Sequence, residues 1–246
     1  MAESKHTRKG KRRFPSVMRI GNAVATFRPG FGQEELPDGV ERPSEDEIRN
    51  ALAAIPPDMN WEWARPRLVP LFEQGYAEGT TGDPMINTVS ALGVGIGFGI
   101  DIGAGLARVT RSLAQRWEVS VEQLESAAFA HLAGVAASVT PRDLQPVVLR
   151  GHMVRALGEP QGWASSMVLA GEEELTRIFG PQDQVFTTPA RNSLFAFDAT
   201  TPPRAIAEIT IQFEALDPHP LEMDPFVLVG GTLSWDGLRA ELEDVP

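Results

Sequence analysis

The sequence predicts an α+β fold, an antiparallel-rich sheet packed by two main helices with an irregular N-terminal arm. Three observations carry the prediction. The stretch Ala91 to Gly105, ALGVGIGFGIDIGAG, alternates Gly93, Gly95, Gly97 and Gly99 with Val94, Ile96, Phe98 and Ile100. That is the period of a strand with one apolar face and one bare face. Apolar residues recur at helical spacing after Ser120 and again after Pro202. From Pro146 onward, β-branched and aromatic runs alternate with short turn segments.

Four segments follow from composition: a basic tail over 1–13, an arm over 14–59 with one short helix, an α+β domain over 60–238 and a C-terminal tail over 239–246. The arm carries Pro15, Pro29 and Pro37 without a sustained period. Ser44 and Glu47 form a capping box for a helix from Glu45 to Ala54, which Pro56-Pro57 stops. Residues 58–84, with Trp61, Trp63, Pro66 and Pro70, read as irregular chain or short strands. The glycine strand then turns at Gly103 and Gly105 into Leu106 to Thr110, and Ser112 to Trp117 is a short helical turn. Ser120 and Gln123 box the start of a helix whose stripe is Val121, Leu124, Ala128 and Leu132, with Gly134 as its expected stop.

Strands are expected at Val147–Leu157 and Trp163–Leu169, followed by a short helix between Gly171 and Gly180 with Glu172, Glu173 and Glu174 at its positive end. Strands at Gln184–Thr188 and Leu194–Asp198 flank the turn 189–192. Thr201 is placed to cap a helix whose face is Ile206, Ile209, Phe213 and Leu216. Gly230-Gly231 joins the hairpin Phe226–Val229 and Thr232–Trp235.

The order of these elements resembles a family of uncharacterised, YtpQ-like bacterial proteins, a domain of unknown function. The likeness covers residues 60 to 238. It consists of the Arg-Pro element at Ala64 to Leu68, the apolar strand ending in Asp101, and Trp117 leading into the Ser120–Leu132 helix. After Ala164-Ser165-Ser166 and its helix come Thr188-Pro189-Ala190-Arg191-Asn192, the strand Leu194 to Asp198, His219-Pro220-Leu221 and the last hairpin. His131 and Asn192 depart from the family pattern, which has Asn and an acid at those places. The resemblance implies a fold and no reaction.

Composition narrows the function classes. The chain has no cysteine, which removes disulfides, thiolate nucleophiles and Cys-based zinc sites and is compatible with a cytoplasmic location. Residues 1–13 hold six basic residues and one acid, leaving 16 basic against 32 acidic in the remainder. So acidic a body repels phosphate backbones, and no specific nucleic-acid binding by the folded domain is expected. The tail reads as a solvated terminus. Thr88 to Ala107 is long enough to span a membrane, but its six glycines and Asp101 make insertion unfavourable, so no span is expected. Arg12-Arg13-Phe14 lacks the apolar run of an export signal.

Motif registers are largely empty. The glycines do not fit a dinucleotide fingerprint, and there is no phosphate loop, nucleophile elbow or HExxH helix. No cofactor and no metal site is expected. His6, His131, His152 and His219 stand singly, and His131 reads as a satisfied histidine at the core edge. Ser165 and Ser166 read as hydroxyls pairing across a sheet. The candidate catalytic residues are Asp101, which ends the strand on the glycine side and can pair with Arg191 or Arg150, together with His152 and Arg191. The leading expectation is a non-catalytic binding or scaffold module with a protein partner. The alternative is an enzyme, plausibly a hydrolase, with its site beside the glycine strand. Convergence of those side chains on a pocket would favour the enzyme, and an exposed apolar patch the binding module.

Overall fold

The computed structural model describes residues 16–20, 23–27, 45–73, 83–103, 105–159, 161–217 and 220–235. The tails at 1–13 and 239–246, the Ser44 cap, His6 and His219 lie outside these. The fold is α+β, and the described strands form two antiparallel six-stranded sheets rather than one. Sheet one takes β1 (Ser16–Ile20), β2 (Ala23–Phe27), β3 (Leu68–Phe72), β4 (Asn87–Val89), β5 (Gly95–Asp101) and β6 (Leu106–Arg108). Its order is β1-β2-β6-β5-β3, with β4 lying end to end with β6 along the same side of β5. The stretch read as an arm therefore supplies an antiparallel hairpin, joined to β6 at Ala25 and Ala107. The short helix is there as α1 (Glu45–Ala53), and Ile55 and Met59 behind it are buried. Packing thus begins before residue 60.

The described residues 58–73 hide two elements. Asn60 Oδ1 accepts from Trp63 N and starts α2 (Trp61–Ala64), which runs through a 3₁₀ turn at Arg65–Arg67 into β3. Every residue of β3 is buried, Pro70 included. Proline is tolerated there because β3 is an edge strand, where a missing N–H breaks no ladder.

Sheet two takes β7 (Gln145–Leu149), β8 (His152–Gly158), β9 (Gln184–Ala190), β10 (Ser193–Asp198), β11 (Phe226–Val229) and β12 (Thr232–Trp235), in the order β12-β11-β9-β10-β8-β7. What reads in sequence as one strand, Val147 to Leu157, is a hairpin turning at Arg150 (φ 50°) and Gly151 (φ 83°). The left-handed pair makes a tight turn, and an arginine in its first position conceals it. The run Trp163–Leu169 is not a strand. Ala164–Ala170 forms a 3₁₀ helix that packs between β3 and β10, burying Ala164, Met167 and Val168.

The helices are α3 (Arg111–Trp117), α4 (Val121–Ser138), α5 (Glu172–Phe179) and α6 (Pro203–Glu214). The Ser120–Gln123 capping box is formed, but α4 runs through Gly134 for another turn. A single glycine weakens a helix without ending it. Leu124, Ala128, Leu132 and Ala136 are buried against β3. Pro202, not Thr201, takes the N-cap position of α6. Its Ile206 and Ile209 cover β9, and Leu216 stays 39% exposed. One apolar core joins the sheets, with Phe72 of β3 stacked on Phe226 of β11 at 5.4 Å. No helix among the described residues is long and apolar enough to cross a membrane.

Candidate functional site at the glycine face

Strand alternation puts Gly95, Gly97, Gly99 and Asp101 on one face of β5. The register with β3 places Leu71 opposite Gly97 and Val69 opposite Gly99, so Glu73 follows on the same side. A Cβ on Gly97 would stand 2.7 Å from Glu73 Cγ and 3.2 Å from Asn87 Oδ1. On Gly99 it would stand 2.7 Å from Leu71 Cδ1. The bare face is thus bare because side chains of the neighbouring strands fill it.

Glu73 is the charged centre of this face. Its side chain is 7% exposed, and its carboxylate meets Arg191 Nη2 at 3.2 Å and Arg108 Nη1 at 3.8 Å. Arg191 comes from the β9–β10 turn in sheet two and Arg108 from β6 in sheet one, so the cluster ties the sheets together. Buried charges of this kind fix geometry more than they add stability.

At the other end of the face sits Glu159, directly after β8. Its carboxylate accepts from the backbone N–H groups of Gln161 (2.8 Å), Gly162 (2.8 Å) and Trp163 (3.4 Å). Its own N–H donates to Asn192 O, and Ser165 N–H donates to Arg191 O, holding Glu159 and Ser165 on the β9–β10 turn. Across the loop, the Cβ position of Gly162 is 3.5 Å from Leu106 Cδ1, and Leu106 pairs with Asp101. Burial pushes the Glu159 carboxyl up to about 7; the three N–H groups oppose this and the Asp101 charge adds to it. Burial raises Asp101 as well, against the Gly103 N–H it accepts at 2.7 Å and the fields of His131 and Arg67.

Of the three sequence candidates, Asp101 and Arg191 lie at this face and His152 does not. His152 opens β8 opposite Leu149, which packs with the cluster under α6. The expected pairing of Asp101 with Arg191 or Arg150 is corrected: Arg191 binds Glu73, and Arg150 binds Glu208 of α6. His131 is satisfied at the core edge, with Nδ1 2.9 Å from Leu68 O. Ser165 and Ser166 do not pair across a sheet. They sit in the 3₁₀ helix, and their buried oxygens have no partner among the described residues. Nor do the described residues hold a cluster of three or more His, Asp or Glu fit for a metal. Sequence reading missed Glu73 and Glu159. Once β3 is recognised, Val69, Leu71 and Glu73 alternate onto the glycine face, and that period was the available signal.

No family model matches the chain, and no curated protein and no solved structure matches it.

A second surface lies along β7, an outermost strand of sheet two among the described residues. Val148 and Met153 face each other across β7 and β8 and are 64% and 58% exposed. Two residues along, on the same face, the pair Pro146 and Arg155 borders a depression of about 350 Å³ lined also by Leu144, Ile178 and Phe179. Another depression, of about 530 Å³, lies between β4 and α4 and is lined by Val89, Phe129, Glu122 and Glu125. Asp101, His152 and Arg191 line neither.

Proposed function

We propose that the protein is a non-catalytic binding module of the cytoplasm that takes an extended, acidic and apolar segment of a protein partner along β7. The observation that carries this reading is the exposed Val148–Met153 pair on an outermost strand. An outermost strand invites strand addition through its outward backbone groups, which in β7 are those of Val148 together with the carbonyl of Pro146, with alternate side chains giving specificity. Charge supports the choice of an acidic partner: Arg142 and Arg150 are exposed beside β7, Arg150 shared with Glu208 of α6, in a chain of net charge −11. Kinship with the YtpQ-like family belongs to the same proposal, supported by the order of elements over residues 60 to 238.

The test is fluorescence anisotropy with a labelled peptide of alternating Glu and Val. Saturable binding is expected, weakened by salt, absent for the Lys-for-Glu peptide and lost in the Val148→Glu, Met153→Glu double variant. Binding that ignores the double variant, or none at all, overturns the reading. A concentration-dependent dimer abolished by the same variant would reassign the edge to self-association.

The second reading, a hydrolase at the glycine face, is favoured by one observation, the pair of desolvated carboxyls Asp101 and Glu159. Turnover of ester, phosphate or glycoside chromogens that Asp101→Asn abolishes would establish it; turnover retained in that variant would remove it.

A further inference from the structure

We propose that Met153 is an oxidation site, and that peroxide, by turning its thioether into a sulfoxide, switches off partner binding along β7; the inference rests on the strand-addition reading of that edge. The chain has no cysteine, so no thiol of its own competes for an oxidant and sulfur chemistry falls to methionine. The methionines whose side chains are described are unequal. Met59, Met167 and Met223 are buried in the apolar cores. Met85 is half-buried, and its sulfur accepts from Arg108 Nη1 at 3.0 Å. Met153 is 58% exposed, so a small oxidant reaches it first.

The step is an oxygen transfer from hydrogen peroxide. The sulfur attacks one peroxide oxygen, and the O–O bond breaks as the S–O bond forms. The other oxygen leaves as water, taking the proton of the transferred one. Sulfur gives up the electron pair that peroxide accepts. The consequence follows from where the sulfur stands. Met153 pairs directly with Val148 across β7 and β8, and the two make the exposed apolar patch of this edge. A sulfoxide oxygen there is a strong acceptor that must lose its water when a partner strand covers it, and the carboxylates of an acidic partner offer it no donor. Met153 belongs to none of the buried clusters, so the change weakens binding and spares the fold.

The full chain is titrated with hydrogen peroxide, with methionine oxidation followed by peptide mapping in a mass spectrometer and binding by anisotropy of the labelled Glu/Val peptide. Met153 is expected to take oxygen well before Met59, Met85, Met167 and Met223. Kd should rise about tenfold in step with the Met153 sulfoxide, the scale set by desolvating an unpartnered acceptor, with the thermal midpoint unmoved. Methionine sulfoxide reductases of both stereospecificities, with dithiothreitol, should restore the thioether and the affinity together. Met153→Gln, similar to the sulfoxide in length and polarity, should bind as weakly as the oxidised chain and lose nothing more to peroxide. Earlier oxidation of another of these methionines, a falling thermal midpoint, repair of the sulfur without repair of binding, or a further loss in Met153→Gln would each overturn the switch. An affinity that ignores the Met153 sulfoxide would overturn it while leaving strand addition in place, whereas a peptide that never binds the reduced chain removes both.

Discussion

Valine at position 97 would force Glu73 out of the space its Cγ occupies and away from Arg191. Overpacking of that kind costs about 1–3 kcal/mol, so Gly97→Val should lower the urea midpoint; an unchanged midpoint would show that the face yields freely. Glu159 has the opposite character, a group the fold would hold more easily without its charge. Its folded pKa of about 7 lies above its ordinary 4.5, so the folded state binds the extra proton. Its contribution is fully present below 4.5 and is lost as pH rises through about 7, by about 3 kcal/mol. Glu214, raised to about 7 by burial and then by Glu222, acts in the same direction. Denaturant melts should therefore show less stability at pH 8 than at pH 5.5, with the slope reduced in Glu159→Gln. Asp101 was legible because it closes an alternating pattern. Glu159 was not, because a carboxylate among turn residues looks solvated unless the three N–H groups folded around it are known.

Helix α4 shows how element boundaries escape a sequence. Gly134 looked like a stop, yet it is exposed and has nothing within 4 Å of its Cβ position. Gly134→Ala should therefore stabilise the protein by about 0.5–1 kcal/mol in thermal or urea melts. The true end of α4 is held from outside by Arg177 of α5, whose guanidinium donates to Ala136 O at 2.6 Å and Val139 O at 2.9 Å. Charge-assisted bonds to terminal carbonyls are worth about 1.5–3 kcal/mol. Arg177→Met should lose stability on that scale, more than loss of its half-buried partner in Glu174→Gln. Such a stop is invisible locally because the residue that makes it is 38 positions away. The same holds for Ala164–Ala170, whose β-like composition is overridden by burial between the sheets.

At the scale of the molecule, the α+β class and the antiparallel pairing were readable from alternation and turn chemistry, since both are local. The division into two sheets was not. It depends on which edges meet, and nothing in the pattern of β3 announces that Phe72 will stack on Phe226. Yet the division follows the chain: sheet one uses strands only from 16–108, sheet two only from 145–235, and α4 lies between. Each sheet can therefore assemble from neighbouring sequence, and among the contacts that unite them are long loop closures, such as Glu73 with Arg191, 118 apart. Long loop closures come late, because their entropy is offset only once both surfaces exist. Glu73→Gln should accordingly leave the refolding rate near its original value and speed unfolding in a chevron measurement. A nascent chain leaving the ribosome would complete its first sheet well before Arg191 is made, and would expose Phe72 and the buried glycine face until the second sheet arrives to cover them.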